Sequence, residues 1–326
     1  MDYKEIIADS WRYTQNRKKV VRWLGVFPAI FTTTGSVATI LYQFFAFKSS
    51  ALFNETEDSF FFDVIDFIIT FVKEHLSLTL PLVIVFIITL LIYLLLPTLA
   101  KAAVMQIIAR EKNGQPATVG TGLRQGMMRF LPLFEYHAII KVFSIMFILV
   151  EMSFAIRNLG LDFFMLFLPI FIVFLVIGLV LTLLFTYADF YIVIDQKGIF
   201  ESMRMSAKTV VMNWKHTFLI TILMLIIGVR VIIQAILVFL IPVAIIVITG
   251  YVAIVAAPIV SILIGSLVGA VGMIVAAYIN GAVDIFSYSV WTLTFLEITS
   301  EKELSARETF TDDIGTRRED TPLTQG

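Results

Sequence analysis

Six long apolar stretches run through this 326-residue chain, and the Lys and Arg between them fall almost wholly in alternate loops. A helix needs roughly 20 apolar residues to cross the hydrocarbon core of a bilayer. Stretches at about 24–47, 76–99, 133–154, 163–187, 216–241 and 259–296 meet that length. Composition agrees: 59% of residues are hydrophobic and 15% charged, with mean hydropathy +0.93. A soluble domain has roughly 45–50% apolar and about 25% charged residues, so the apolar excess points to a bilayer and not to a large soluble core. Thirty Phe against four Trp suits a lipid-facing surface. The expected fold is all-α: a polytopic transmembrane helical bundle of six spans with amphipathic helices at the cytoplasmic interface. The first apolar run is too long for the core of a cleaved secretory signal and reads as a retained span.

Charge sets the orientation. With both termini cytoplasmic, the inside segments 1–23, 101–132, 188–215 and 297–326 hold 6, 5, 4 and 4 basic residues, 19 of the 24. The outside loops hold only Lys48, Lys73 and Arg157, and Lys141 and Arg230 fall within spans. That asymmetry follows the positive-inside rule. Trp11, Trp23, Trp214 and Trp291 lie near expected cytoplasmic ends, the depth that indole prefers. The apolar piece 242–258 has only 17 residues between two prolines and reads as a short re-entrant or outer-leaflet helix. A seventh span there would put the C-terminus outside.

In the first outside loop, Asp63 and Asp66 sit three apart among aromatics in 58–75, which suggests an amphipathic helix lying on the outer surface. Asn54-Glu55-Thr56 has the form of a glycosylation acceptor. Residues 299–326 carry four basic and seven acidic residues without apolar periodicity and read as a disordered cytoplasmic tail, after a transmembrane domain spanning 1–298.

An internal similarity joins the basic segments. At an offset of 80, Gly122-Leu123-Arg124-Gln125-Gly126 lies under Ser202-Met203-Arg204-Met205-Ser206. At an offset of 196, Glu5, Ile7, Ser10 and Arg12 lie under Glu201, Met203, Ser206 and Lys208. The suggested unit is an interfacial helix followed by a two-helix hairpin, three times over. Parallel repeats of this kind build membrane folds.

The stretch Tyr187-Ala188-Asp189-Phe190-Tyr191-Ile192-Val193-Ile194-Asp195, then Gly198-Ile199-Phe200-Glu201-Ser202-Met203-Arg204-Met205-Ser206, then Asn213-Trp214-Lys215, resembles a loose group of six-span prokaryotic proteins. That group includes the membrane domain of glycerophosphoryl diester phosphodiesterases and related uncharacterised families. Ser10-Trp11-Arg12 fits the same style. In those phosphodiesterases the activity belongs to a separate soluble domain, so the resemblance implies a membrane scaffold and a prokaryotic cytoplasmic (inner) membrane, and no catalytic residues.

Ionisable groups inside spans are costly and are functional candidates by default. Arg230 lies near the middle of the fifth stretch, with Gln234 one turn on. Asp284 on the sixth stretch and Glu151 on the third are its candidate partners. The sixth stretch also places Ser261, Gly265, Gly269, Gly272, Ala276 and Asn280 within one sector of a helix. Such small residues let helices pack closely, or they line a path whose polar end is Asn280 and Asp284. Glu135, His137 and Lys141 form a polar start to the third stretch, and Asp189 and Asp195 suit turn or cap positions after the fourth.

The His-Glu-x-x-His, Gly-x-Ser-x-Gly and Walker patterns are missing. With no cysteine there is no thiolate site, and His75, His137 and His216 are far apart in the expected topology. The expectation is a non-enzymatic integral membrane protein without a cofactor, a scaffold or accessory protein that binds membrane lipids or a protein partner. The net charge of −1 offers nothing to nucleic acid. The alternative is a transporter or lipid-translocating protein with Arg230, Gln234, Asn280 and Asp284 along its path.

Overall fold

Once the apolar runs pair their backbone groups internally they are helices. In the computed structural model every regular element among the described residues is helical. The structure describes residues 3–48, 60–226 and 258–319, with isolated positions at 229, 247 and 250. Helix α1 is Tyr3–Asn16. Helix α2 runs through Lys18–Val20, a π-helical stretch Val21–Val26, and Phe27–Lys48. There follow α3 (Phe60–Glu74), α4 (Leu76–Lys112), α5 (Val119–Met128), α6 (Phe130–Lys141), α7 (Ile145–Leu159) and α8 (Leu161–Leu184). The short α9 (Ala188–Val193) leads to α10 (Ile199–Met212), α11 (Trp214–Ile226) and the long α12 (Pro258–Glu319).

Four of these helices are long and apolar enough to cross a membrane: Lys18–Gln43, Leu76–Lys112, Leu161–Leu184 and Leu263–Ser300. A fifth candidate is the pair α10 and α11, bent by 97° at Asn213. Leu82, Ile84, Val85 and Phe86 of α4, and Leu166, Ile172 and Val173 of α8, are all exposed. A continuous apolar surface of this extent suits lipid, not water.

The third expected span is two helices, not one. Helices α6 and α7 have 12 and 15 residues and part at 142–144. There Ser144 takes extended backbone and its Oγ accepts from Phe147 N at 3.2 Å. At the break the backbone passes close to α8: a Cβ on Gly178 would stand 2.2 Å from the Phe143 carbonyl oxygen. The expected fifth span begins at α11, and most of its remainder lies outside the described residues, as do 242–257 and Asn54-Glu55-Thr56. The segment expected to be a disordered tail is helical as far as Glu319. Its sequence supports that continuation, with Glu303–Arg307 and Asp313–Arg317 spaced i,i+4.

The small-residue stripe of α12 faces protein. Gly265, Ala276 and Gly281 are buried, while Leu267, Val271, Ile274, Val275 and Tyr278 around them are exposed. The closest approach is at Gly281, where a Cβ would stand 2.5 Å from Gly25 C and from Val26 N. Helix α2 thus lies backbone to backbone on α12, across the π-helical stretch.

Three short helices are seated on neighbouring helices. Helix α5 packs on the C-terminal part of α4, α10 on α9 and the end of α8, and α1 on α12. Each presents buried residues one turn apart: Gly122 and Gly126, Ser202 and Ser206, and Ile6 and Ser10. These are equivalent positions at the offsets of 80 and 196. The caps of α5 and α10 correspond as well, since Thr118 and Gly198 are both extended.

The Gly281 contact gives a test. Gly281→Ala pushes a methyl into backbone that cannot yield locally, and is expected to cost about 1–3 kcal/mol. Gly120→Ala meets only Thr118 Oγ1 at 4.0 Å and is expected to be neutral or to stabilise by about 0.5–1 kcal/mol. Thermal unfolding in detergent reads both, and equal midpoints would remove the close-packing argument.

Candidate functional site

Helix α4 carries a lysine in an otherwise apolar run, Leu99-Ala100-Lys101-Ala102-Ala103-Val104. Apart from Lys101, which is partly covered, residues 100–109 of α4 are buried, so the ammonium has to find an anion. Asp189, the second residue of α9, supplies it. All six residues of α9 are buried, because Tyr187, Phe190 and Tyr191 stack on Phe295 of α12 with ring centroids 4.9–6.2 Å apart. The aromatic turn that follows α8 is therefore core, and it holds one carboxylate at a set depth.

That carboxylate has two partners. Lys101 Nζ pairs with Asp189 Oδ2, and His137 Nε2 of α6 lies 3.2 Å from both carboxylate oxygens. An ionised carboxylate only accepts, so the Nε2 proton of His137 donates. The Lys101 ammonium also lies 5.7 Å from the ring centroid of Tyr288 on α12, within cation–π range. Burial alone would raise the Asp189 carboxyl, but the charge of Lys101 and then the His137 contact outweigh it and hold the group well below the usual carboxylate range. Nearby, Gln106 Nε2 donates to the Val193 carbonyl, which ties the end of α9 to α4. Four helices, α4, α6, α9 and α12, thus meet at one ion pair. A carboxylate held so firmly in its ionised form is a weak proton acceptor, so the cluster suits fixing helices and not general-base chemistry. No group of three or more His, Cys, Asp or Glu that could hold a metal ion occurs among the described residues.

The structure disperses most of the residues that sequence put forward. Asn280 Nδ2 donates to Thr33 Oγ1 of α2 at 2.9 Å, an interhelical bond along the small-residue face. Asp284, one turn further, has Lys101 as its opposing charge. Glu151, like Asp284 a candidate partner of Arg230, is exposed on α7. Arg230 and Gln234 lie outside the described residues. Of the polar start expected for the third span, only His137 joins the cluster, and Asp189 turns out to be its centre instead of a simple cap. Lys101 was missed, having been read as the first residue of a basic loop. The available signal was a lysine set among alanines, with no polar residue for two turns before it except Thr98.

The residues that carried the family resemblance, Tyr187 to Lys215, have structural work here. Ser206 Oγ accepts from Tyr187 N at 3.0 Å and donates to the Leu184 carbonyl at 2.8 Å. Tyr191 OH and Thr209 Oγ1 lie 2.6 Å apart. No protein-family model matches the chain, and no curated protein or solved structure matches it either.

Removing one partner of a buried pair leaves the other charge uncompensated. Asp189→Asn is expected to destabilise the protein by about 3–5 kcal/mol, and adding Lys101→Met to recover much of the loss. The pH dependence follows from the depressed carboxyl. Its stabilisation is present above the ordinary carboxylate range and is lost as pH falls through the lower folded-state value. Unfolding midpoints against pH should show this acid loss in the natural protein and not in Asp189→Asn.

Proposed function

We propose that the chain is a non-catalytic integral membrane protein, a lipid- or partner-binding scaffold or accessory subunit with six spans and both termini in the cytoplasm. The observation that carries the reading is the set of short helices α1, α5 and α10. Each seats buried residues one turn apart on a neighbouring helix, Ile6 and Ser10, Gly122 and Gly126, or Ser202 and Ser206, and leaves large apolar groups outside: Trp11 on α1, Met127 and Met128 on α5, Phe200, Val211 and Met212 on α10, with Trp214 just beyond. These groups share their helices with Arg12, Arg124, Arg204 and Lys208. Aromatic and thioether groups beside cations are the composition of helices that lie in the headgroup region and attract anionic lipid.

The correspondence of the three seats supports the threefold repeat of a short helix and a hairpin, with α3 as an amphipathic helix on the outer face. The charge asymmetry supports a cytoplasmic (inner) membrane, as does the resemblance to the membrane domain of prokaryotic phosphodiesterases. Asn280 is already bonded to Thr33, which favours packing over a transport path along α12.

Topology is directly testable because the chain has no cysteine. Single cysteines replacing Lys4 and Lys208 are expected to react with an impermeant maleimide only from the cytoplasmic side of membrane vesicles, and one replacing Lys73 only from the other. Lys4 and Lys208 on opposite sides would overturn the arrangement. For the scaffold role, native mass spectrometry from nanodiscs should show retained anionic lipid or a stoichiometric protein partner. Solute flux through vesicles holding the purified protein alone would overturn it in favour of transport.

A further inference from the structure

Where α4, α5 and the turn after α9 converge there is a cavity of about 400 Å³, lined by Gln106, Arg110, Gln125, Met128, Arg129 and Gln196. That volume lies within the roughly 300–1,000 Å³ of small-molecule sites. Its lining is chemically one-sided, with two guanidiniums, three carboxamides and one thioether, and no carboxylate. Neither Arg110 nor Arg129 is in an ion pair among the described residues. Both are only partly exposed, so their charge is not simply dispersed into solvent. Nearby cations do find acids: Arg17 pairs with Glu111 at 2.5 Å, and Lys197 with Glu201 at 3.0 Å.

The site is built, not fortuitous. Gln106 is held by its bond to the Val193 carbonyl. Arg129 Nη2 donates to Gln196 Oε1 at 2.5 Å, which orients the guanidinium and leaves its other N–H groups for a ligand. Gln196 sits in the left-handed region at φ 57°, and the turn is closed by Lys197 N donating to the Tyr191 carbonyl at 3.0 Å. Gly122 and Gly126 bring α5 so close to α4 that a Cβ at Gly126 would stand 2.8 Å from Ala103 N, and this sets Gln125 and Arg129 opposite Arg110.

We infer that this cavity binds a phosphate-type anion, held by Arg110 and Arg129 with carboxamide donors around it. Guanidinium forks match tetrahedral oxyanions in geometry and charge, and several acceptor oxygens can use the several donors present. A lipid headgroup and a free phosphorylated molecule offer the same chemistry. Exposed Met128 in the lining would suit acyl chains in the first case. The anion site itself does not depend on the scaffold reading, which only makes lipid one of its two sources.

The test uses the full chain in detergent and in nanodiscs, with inorganic phosphate and phosphatidic acid as probes. Calorimetry should detect phosphate binding to the natural protein, weakened about tenfold by Arg110→Gln or by Arg129→Gln and abolished in the double variant. Lys112→Gln, exposed on the same helix as Arg110 and outside the cavity, should leave it unchanged. Retention of phosphatidic acid from mixed phosphatidylcholine nanodiscs, lost in the same variants, assigns the site to a lipid headgroup. Phosphate binding without that retention assigns it to a soluble phosphorylated ligand. If the double variant does not fold, the two single variants decide. Binding of neither probe by the natural protein, or equal binding by natural and arginine-substituted proteins, overturns the site. The phosphate arm fails or succeeds independently of the topology experiment.

Discussion

The pairing of Lys101 with Asp189 is the interaction on which the described bundle depends. Separately, each group would be an expensive charge in a poorly solvated place. Together, with His137 donating and Tyr288 under the ammonium, they fix four helices at one point. A buried pair is weak evidence of net stabilisation but a strong determinant of which elements must meet. The aromatic packing of Tyr187, Phe190 and Tyr191 against Phe295 depends on α9 being held there, and α10 in turn hangs on α9 through Ser206.

Around this point the packing is dictated by small residues. Gly25 against Gly281, Gly178 against Phe143 and Gly126 against Ala103 are all backbone-to-backbone approaches. Between helices in lipid there is little hydrophobic gain from association, because acyl chains are as apolar as Leu. Close van der Waals contact and a few interhelical hydrogen bonds decide instead. The Asn280–Thr33 bond is of that kind. The hydroxyls of Thr292, Thr294 and Thr299 return to carbonyls one turn back, at 2.6–2.8 Å, so these three are satisfied within their own helix.

The short helices α1, α5 and α10 link architecture to function. Their inner faces are seated on the bundle, and their outer faces leave Trp11, Met127, Met128, Phe200, Val211 and Met212 exposed, the surface on which the proposed lipid binding rests. The cavity of Arg110 and Arg129 lies beside one of these seats, where the approach of α5 to α4 converges cationic side chains that pair with no acid among the described residues.

Much of the long-helix content was legible in the sequence, because a run of some 20 apolar residues has few alternatives to a helix in a bilayer. The stretch at 163–187 corresponds closely to α8, and that at 76–99 to the first part of α4, which runs on to Lys112. The equivalence of Gly122 and Gly126 to Ser202 and Ser206 was also legible, since seats that perform the same packing need residues of similar size. The break in the third stretch was hidden, because the contact at it, Gly178 of α8 against the Phe143 carbonyl, joins residues 35 positions apart. The role of Lys101 was hidden for the same reason: its partners Asp189 and Tyr288 are 88 and 187 positions away along the chain. Sequence alone determined helical class and apolar extent, which follow from local composition and length. Only the tertiary structure decided which charges are neutralised and which are left facing a cavity, because pairing depends on distances that no local pattern encodes.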